Sequence, residues 1–99
     1  MRMIKNLVEQ LDDEIEGAKE YAEKYVEYKA KNNMARANRF KEMANDELKH
    51  AGYIHDMTVQ EIEELKKVYT APAEMREKWD KSHKEYVEKV AWIKQMLTL

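Results

Sequence analysis

The chain has 99 residues, of which 38% are charged and 43% hydrophobic, and its formal net charge is −2. It contains no cysteine, which excludes disulfides, thiolate metal sites and thiol redox chemistry. There is no basic patch, no secretory segment and no apolar run of membrane-spanning length, so we expect a soluble, cytoplasmic protein without nucleic-acid or membrane partners. The scarcity of glycine and proline among good helix formers predicts an all-α fold, with one domain over residues 1–99.

The first predicted helix covers roughly residues 3–31. Steps of three and four residues place one set of side chains on a single face: Ile4, Leu7, Leu11, Glu14, Ala18, Tyr21, Tyr25 and Tyr28. Glu14 is the charged member of this otherwise apolar and aromatic set. The following "KNN" (31–33) predicts a tight turn, because asparagine caps helices and tolerates left-handed backbone. The first two helices should therefore form an antiparallel hairpin.

The second predicted helix begins near residue 34 and has two polar residues on its regular face. That face consists of Phe40, Met43, Glu47, His50, Ile54 and Met57. Two interpretations of the region after residue 57 are open. Thr58 and Glu61 fit a capping box that would start a new helix, whereas the lack of glycine or proline near Thr58 favours one helix through Tyr69. We favour the continuous or kinked helix.

Pro72 predicts a firmer break, because proline disfavours helix at the preceding residue and suits the first turn of a new one. The last predicted helix, about 73–97, carries one face with Met75, Trp79, His83, Tyr86, Val90, Ile93 and Leu97. We interpret His83 as an interface histidine and expect His55 at the surface, because it points away from His50. The remaining large aromatic residues, including Trp92, are interpreted as core or interface packing.

Glu14, Glu47 and His50 are the residues that could carry chemistry. Glu47 and His50 are three residues apart, so they share a helix face and can reach one metal ion. Glu14 lies near the middle of the neighbouring helix, so the three side chains can converge. Carboxylate oxygens with an imidazole nitrogen suit iron, manganese or zinc. The alternative is a local Glu47–His50 pair on a solvated face, with Glu14 at a partly hydrated interface.

Two segments, "EIEGAKEYA" and "ANDELKHA", together resemble the first two helices of rubrerythrin-type ferritin-like proteins. The resemblance covers roughly residues 4–57. It implies a ferritin-like four-helix bundle with a di-iron carboxylate site, in which Glu14, Glu47 and His50 are metal ligands. Tyr21, one heptad after Glu14, would hydrogen-bond a ligand carboxylate, although an ordinary core tyrosine is the alternative.

The chain departs from that family in one respect, because no second Glu-x-x-His motif follows residue 57. A di-iron site of this type takes four carboxylates and two imidazoles, whereas one chain supplies half of that set. The chain thus resembles the short ferritin-like proteins, such as encapsulated ferritins. We expect a homodimer or larger oligomer that shares the site across a two-fold axis, with the last helix packing around it or building a larger ring.

These expectations lead to two functional hypotheses. The first is ferroxidase-like oxidation and handling of iron, with manganese or zinc as alternative metals and with dioxygen or peroxide as oxidant. Whether a shell encloses the protein, or an outside donor supplies electrons, is left open. The second hypothesis is a metal-free helical module that binds other proteins through its long amphipathic helices and the aromatic last helix.

Overall fold

The computed structural model describes residues 2–99, which form three helices: α1 (Arg2–Ala30), α2 (Met34–Val68) and α3 (Ala73–Met96). The predicted all-α fold is confirmed, and the three helix starts and the ends of α1 and α3 lie within about one residue of the predicted positions. Among residues 2–99, none of the helices is long and apolar enough to cross a membrane.

The turn between α1 and α2 has the asparagine chemistry that the sequence predicts. Asn32 adopts the left-handed conformation with φ of 60°. The backbone N–H of Asn33 donates to the carbonyl of Tyr28 at 2.9 Å, and the Asn33 side chain accepts from the N–H of Arg36 at 3.2 Å. The chain therefore reverses direction within three residues, and α1 and α2 pack as an antiparallel hairpin.

The centre of the α1/α2 interface is made of small residues on α2. Ala37, Ala44, Ala51 and Thr58 follow one another at intervals of seven and have no exposed surface. Small side chains let two helix backbones approach closely. This corrects the sequence interpretation, which centred the interface on the set that contains Phe40 and His50. Within that set Ile54 is buried in the core, whereas His50 and Met57 are exposed.

Residues 57–61 lie inside α2, so the interpretation that a new helix starts at Thr58 is wrong. The buried Thr58 hydroxyl donates to the carbonyl of Ile54 at 2.7 Å, one turn earlier in the same helix. The bond satisfies the hydroxyl without any capping role. The favoured interpretation, a continuous second helix, is confirmed to Val68.

The third helix runs alongside α1 and returns antiparallel to α2. Its predicted inward face is confirmed, because Ile93 and Leu97 are buried and the other members of the set are half-buried. Burial is greatest at the end of the helix, where Met96 is also covered. The Lys29 ammonium donates to the carbonyl oxygen of Leu99, which ties the last residue to the end of α1.

His55 does not lie on the surface as predicted, because α3 covers it. Its ring stacks on Tyr86 with centroids 4.7 Å apart, and the His83 ring lies 5.1 Å away. Its side chain is 20% exposed. Burial and the nearby Asp56 carboxylate raise the pKa of Tyr86. The aromatic face of α3 therefore packs against α2 through ring contacts with His55.

Candidate metal centre

Glu14 on α1 and the pair Glu47 and His50 on α2 converge at the middle of the hairpin. One ligand atom from each lies within 4.8 Å of the other two. The Nδ1 atom of His50 is 3.7 Å from Oε2 of Glu14 and 3.8 Å from Oε1 of Glu47. Metal bonds of about 2.0–2.2 Å hold neighbouring ligand atoms roughly 3–4 Å apart. The three side chains therefore have the spacing of ligands around one ion.

The three side chains are brought together as predicted, but they are not equally buried. The side chains of Glu14 and Glu47 are 23% and 27% exposed, whereas that of His50 is 54% exposed. The carboxylates therefore sit against the hairpin while the imidazole lies at its edge. This arrangement leaves the cluster open on one side.

The open side of the cluster faces away from α3. On α1, Asp12 lies near Lys89 and Glu85 of α3. Glu14 is two residues further along the helix, so its side chain points about 200° away from that of Asp12. On α2, His55 contacts α3. His50 is five residues earlier, so its side chain points to a different side of the helix. The hairpin thus has one surface covered by α3 and another that exposes the cluster.

The Glu14 carboxyl is the main influence on the ionisation of Glu47. A hydrogen bond with the Glu14 carboxyl is the largest cause that raises the pKa of Glu47 above its usual value, followed by burial and by the charge of Glu14. His50 opposes this shift. A bound cation would reverse this shift, because it favours the ionised carboxylate that can act as a ligand.

One buried polar atom in the cluster has no hydrogen-bond partner in the described part of the chain, although Nδ1 of His50 lies 3.7 Å from it. Oε2 of Glu14 is buried and accepts no hydrogen bond from residues 2–99. An unsatisfied buried carboxylate oxygen is costly, and a metal ion would satisfy it. Together with the donor set of two carboxylates and an imidazole, this oxygen fits a divalent transition metal.

Tyr21 lies beside the same surface, two helical turns from Glu14. Its ring packs on Phe40, with centroids 6.1 Å apart and an interplanar angle of 34°. Tyr28 stacks on Phe40 with ring centroids 5.5 Å apart. This contact explains the tyrosine as a packing residue, and its hydrogen bond to a ligand carboxylate stays a prediction.

Sequence reasoning missed Gly17, which follows Glu14 by three residues and therefore shares its face. The glycine lies directly beside the Glu47 carboxylate. The signal available in the sequence was a helix-weakening residue one turn from a candidate ligand.

The chain was compared with protein-family models, curated proteins and solved structures, and none of the three comparisons found a match.

Proposed function

We propose that the protein binds a di-metal cluster, with iron as the metal, and oxidises ferrous iron in the manner of ferritin-like proteins. The observation that carries the proposal is the convergence of Glu14, Glu47 and His50 around a buried carboxylate oxygen that accepts no hydrogen bond from residues 2–99. The resemblance of the two helical segments to rubrerythrin-type proteins supports the choice of iron.

The proposed site is complete only in a dimer. One chain supplies two carboxylates and one imidazole, and two chains would supply the four carboxylates and two imidazoles of a di-iron site. The exposed position of His50 supports this step, because α3 leaves that surface free. Two hairpins packed through these surfaces would form a four-helix bundle with the metals inside.

In this function, ferrous iron is the substrate and would be oxidised to ferric iron by dioxygen or peroxide. The carboxylates would hold the ions and stabilise the higher charge of the product. The imidazole would add one nitrogen ligand per metal. Tyr21 would orient a carboxylate if it reaches one in the assembled bundle.

The test is iron binding under anaerobic conditions, measured with the wild type and a Glu47→Ala/His50→Ala double variant. We expect about one iron per chain for the wild type, in a dimer or larger assembly by light scattering, since each chain brings half of a two-metal site. Adding dioxygen should then produce the ferric absorbance at a rate above that of iron alone.

A matched control replaces Glu42, an exposed carboxylate on the same helix, and His83 on α3. The Glu42→Ala/His83→Ala variant should bind as much iron as the wild type. Iron uptake that is equal in all three proteins, or absent from the wild type, would refute the proposal.

The second candidate function is a metal-free module that binds another protein. Large hydrophobic side chains on the outside of α3 favour it, because Val87 is 51% and Trp92 56% exposed. In that case the double variant and the wild type would behave alike, and substitutions at Val87 or Trp92 would abolish binding of the partner.

A further inference from the structure

Two glycines lie within helices of this chain, and the structure separates them clearly. Gly17 is in α1 and Gly52 is in α2. Neither has a positive φ, so neither is required by the backbone conformation. A glycine within a helix lowers stability relative to alanine. Any reason for these glycines must therefore come from the space that a side chain would occupy.

The space at Gly17 is filled by a candidate ligand. A Cβ atom placed on Gly17 would lie 3.1 Å from Oε2 of Glu47 and 3.7 Å from its Cδ. Carbon atoms in ordinary van der Waals contact lie at least about 3.4 Å away. The same construction at Gly52 meets nothing within 4 Å. A Cβ atom at residue 17 would thus lie a few tenths of an ångström too close to the Glu47 carboxylate.

Gly17 and Glu14 are neighbours on one face of α1, as Glu47 and His50 are on α2. The four residues form two facing pairs. Glu47 can lie against the α1 backbone, next to Glu14, because its opposite residue is glycine. A methyl group there would require the Glu47 carboxylate to move by a few tenths of an ångström from its place beside Glu14.

We propose that Gly17 is a positioning residue of the metal centre: the absence of its side chain holds the Glu47 carboxylate beside Glu14 at metal-binding distance. The inference rests on the proposed function where it concerns metal affinity. The packing of Glu47 into the gap can be tested without any metal.

The metal-free test is a double-mutant cycle in thermal unfolding. Gly17→Ala should change Tm by a different amount in a Glu47→Ala background than in the wild type. In both cases the alanine favours the helix, but only the wild type has a carboxylate to displace. An equal change in Tm in the two backgrounds would overturn the proposal, because Glu47 would then not occupy the gap.

The metal test uses Zn²⁺, which needs no oxidant, titrated into wild type, Gly17→Ala and Gly52→Ala. We expect Gly17→Ala to bind at least about tenfold more weakly, as for other residues that orient a ligand. Gly52→Ala should bind like the wild type, since nothing lies near its Cβ. Wild-type affinity in Gly17→Ala would overturn the positioning role.

The two tests distinguish failure of the proposed function from failure of the role of Gly17. If wild-type protein binds neither Zn²⁺ nor iron, the proposed function fails, and the unfolding cycle still decides whether Glu47 fills the gap. If metal binds and the cycle shows no coupling, the function stands and the role of Gly17 is refuted.

Discussion

Among single residues, the carboxylates of the candidate metal centre are held close together in the metal-free chain, which is electrostatically unfavourable. Glu14 and Glu47 approach each other, and an oxygen of Glu14 accepts no hydrogen bond from residues 2–99. Such an arrangement lowers stability and is typical of sites built to bind a cation. The sign of its pH dependence can be derived from the pKa shift.

The pKa of Glu47 in the folded, metal-free protein is raised above its ordinary value of 4.5. The folded state therefore binds this proton more tightly than the unfolded chain. Its contribution to stability is present below that ordinary value and is lost as the pH rises through the raised pKa. Glutamine cannot ionise, so Glu47→Gln should raise the Tm of the metal-free protein relative to the wild type by more at pH 7 than at pH 4.

The difference in Tm between Glu47→Gln and the wild type should shrink towards pH 4, where both side chains are neutral. Scanning calorimetry of the chelator-treated proteins at the two pH values measures it. Glu42→Gln, at an exposed position of the same helix, should change Tm little at either pH. A lower Tm for Glu47→Gln at pH 7 would contradict the electrostatic argument.

At the scale of the helices, close approach of α1 and α2 depends on the residues at seven-residue intervals on α2. Ala44 and Ala51 lie at the centre of this stripe and are fully buried. The hairpin brings its carboxylates together because nothing larger than threonine separates the helices along this line. The candidate metal centre and the interface therefore depend on the same packing.

Ala44→Leu should lower the free energy of unfolding by about 1–3 kcal/mol, because the larger side chain cannot fit without displacing α1. Urea denaturation followed by circular dichroism measures the change. Ala35→Leu is the matched control, since Ala35 is exposed on the same helix. It should change stability by less than about 0.5 kcal/mol. Equal stability of the two variants would show that the interface is loosely packed.

The helices and the site differ in how far the sequence predicts them. Helical spacing predicts three helices and places Glu14, Glu47 and His50 on facing surfaces, because a period of 3.6 residues is local information. The alanine stripe could not be predicted from the spacing of large apolar residues. Small residues determine how closely two helices approach, but alanine is also common on exposed helix faces. The environment of His55 was predicted wrongly, because it depends on where α3 packs. The fit of Gly17 to Glu47 likewise requires the distance between two helices.

At the scale of the whole molecule, the chain is an elongated body with extents of 55 × 18 × 16 Å. One side of its hairpin is covered by α3, and the other carries the candidate centre with Met57, which is 45% exposed. An exposed methionine beside an open ligand set is what a partner chain would cover. If this side forms the proposed dimer contact, a charge introduced there should weaken the dimer.

Met57→Glu should weaken the dimer and reduce iron binding together, because burying an unpaired carboxylate in the contact is unfavourable. Sedimentation at several concentrations measures the first effect, and iron titration measures the second. Val87→Glu, at a similarly exposed residue on α3, should leave both unchanged. A Met57→Glu protein that still assembles and binds iron normally would exclude this side of the hairpin as the contact.

Burial along α3 also determines how the molecule opens. The fully covered residues lie in its last turns, at Ile93, Met96 and Leu97, and Lys29 holds the final carbonyl in place. The first half of α3 has half-buried contacts alone. Local unfolding should therefore begin at the proline end, and the helix should peel away while its last turns stay docked. Amide hydrogen exchange would then show protection that increases from Met75 to Ile93. In such opening, the amino-terminal part of α3 would separate from the hairpin while its carboxyl end stays in contact.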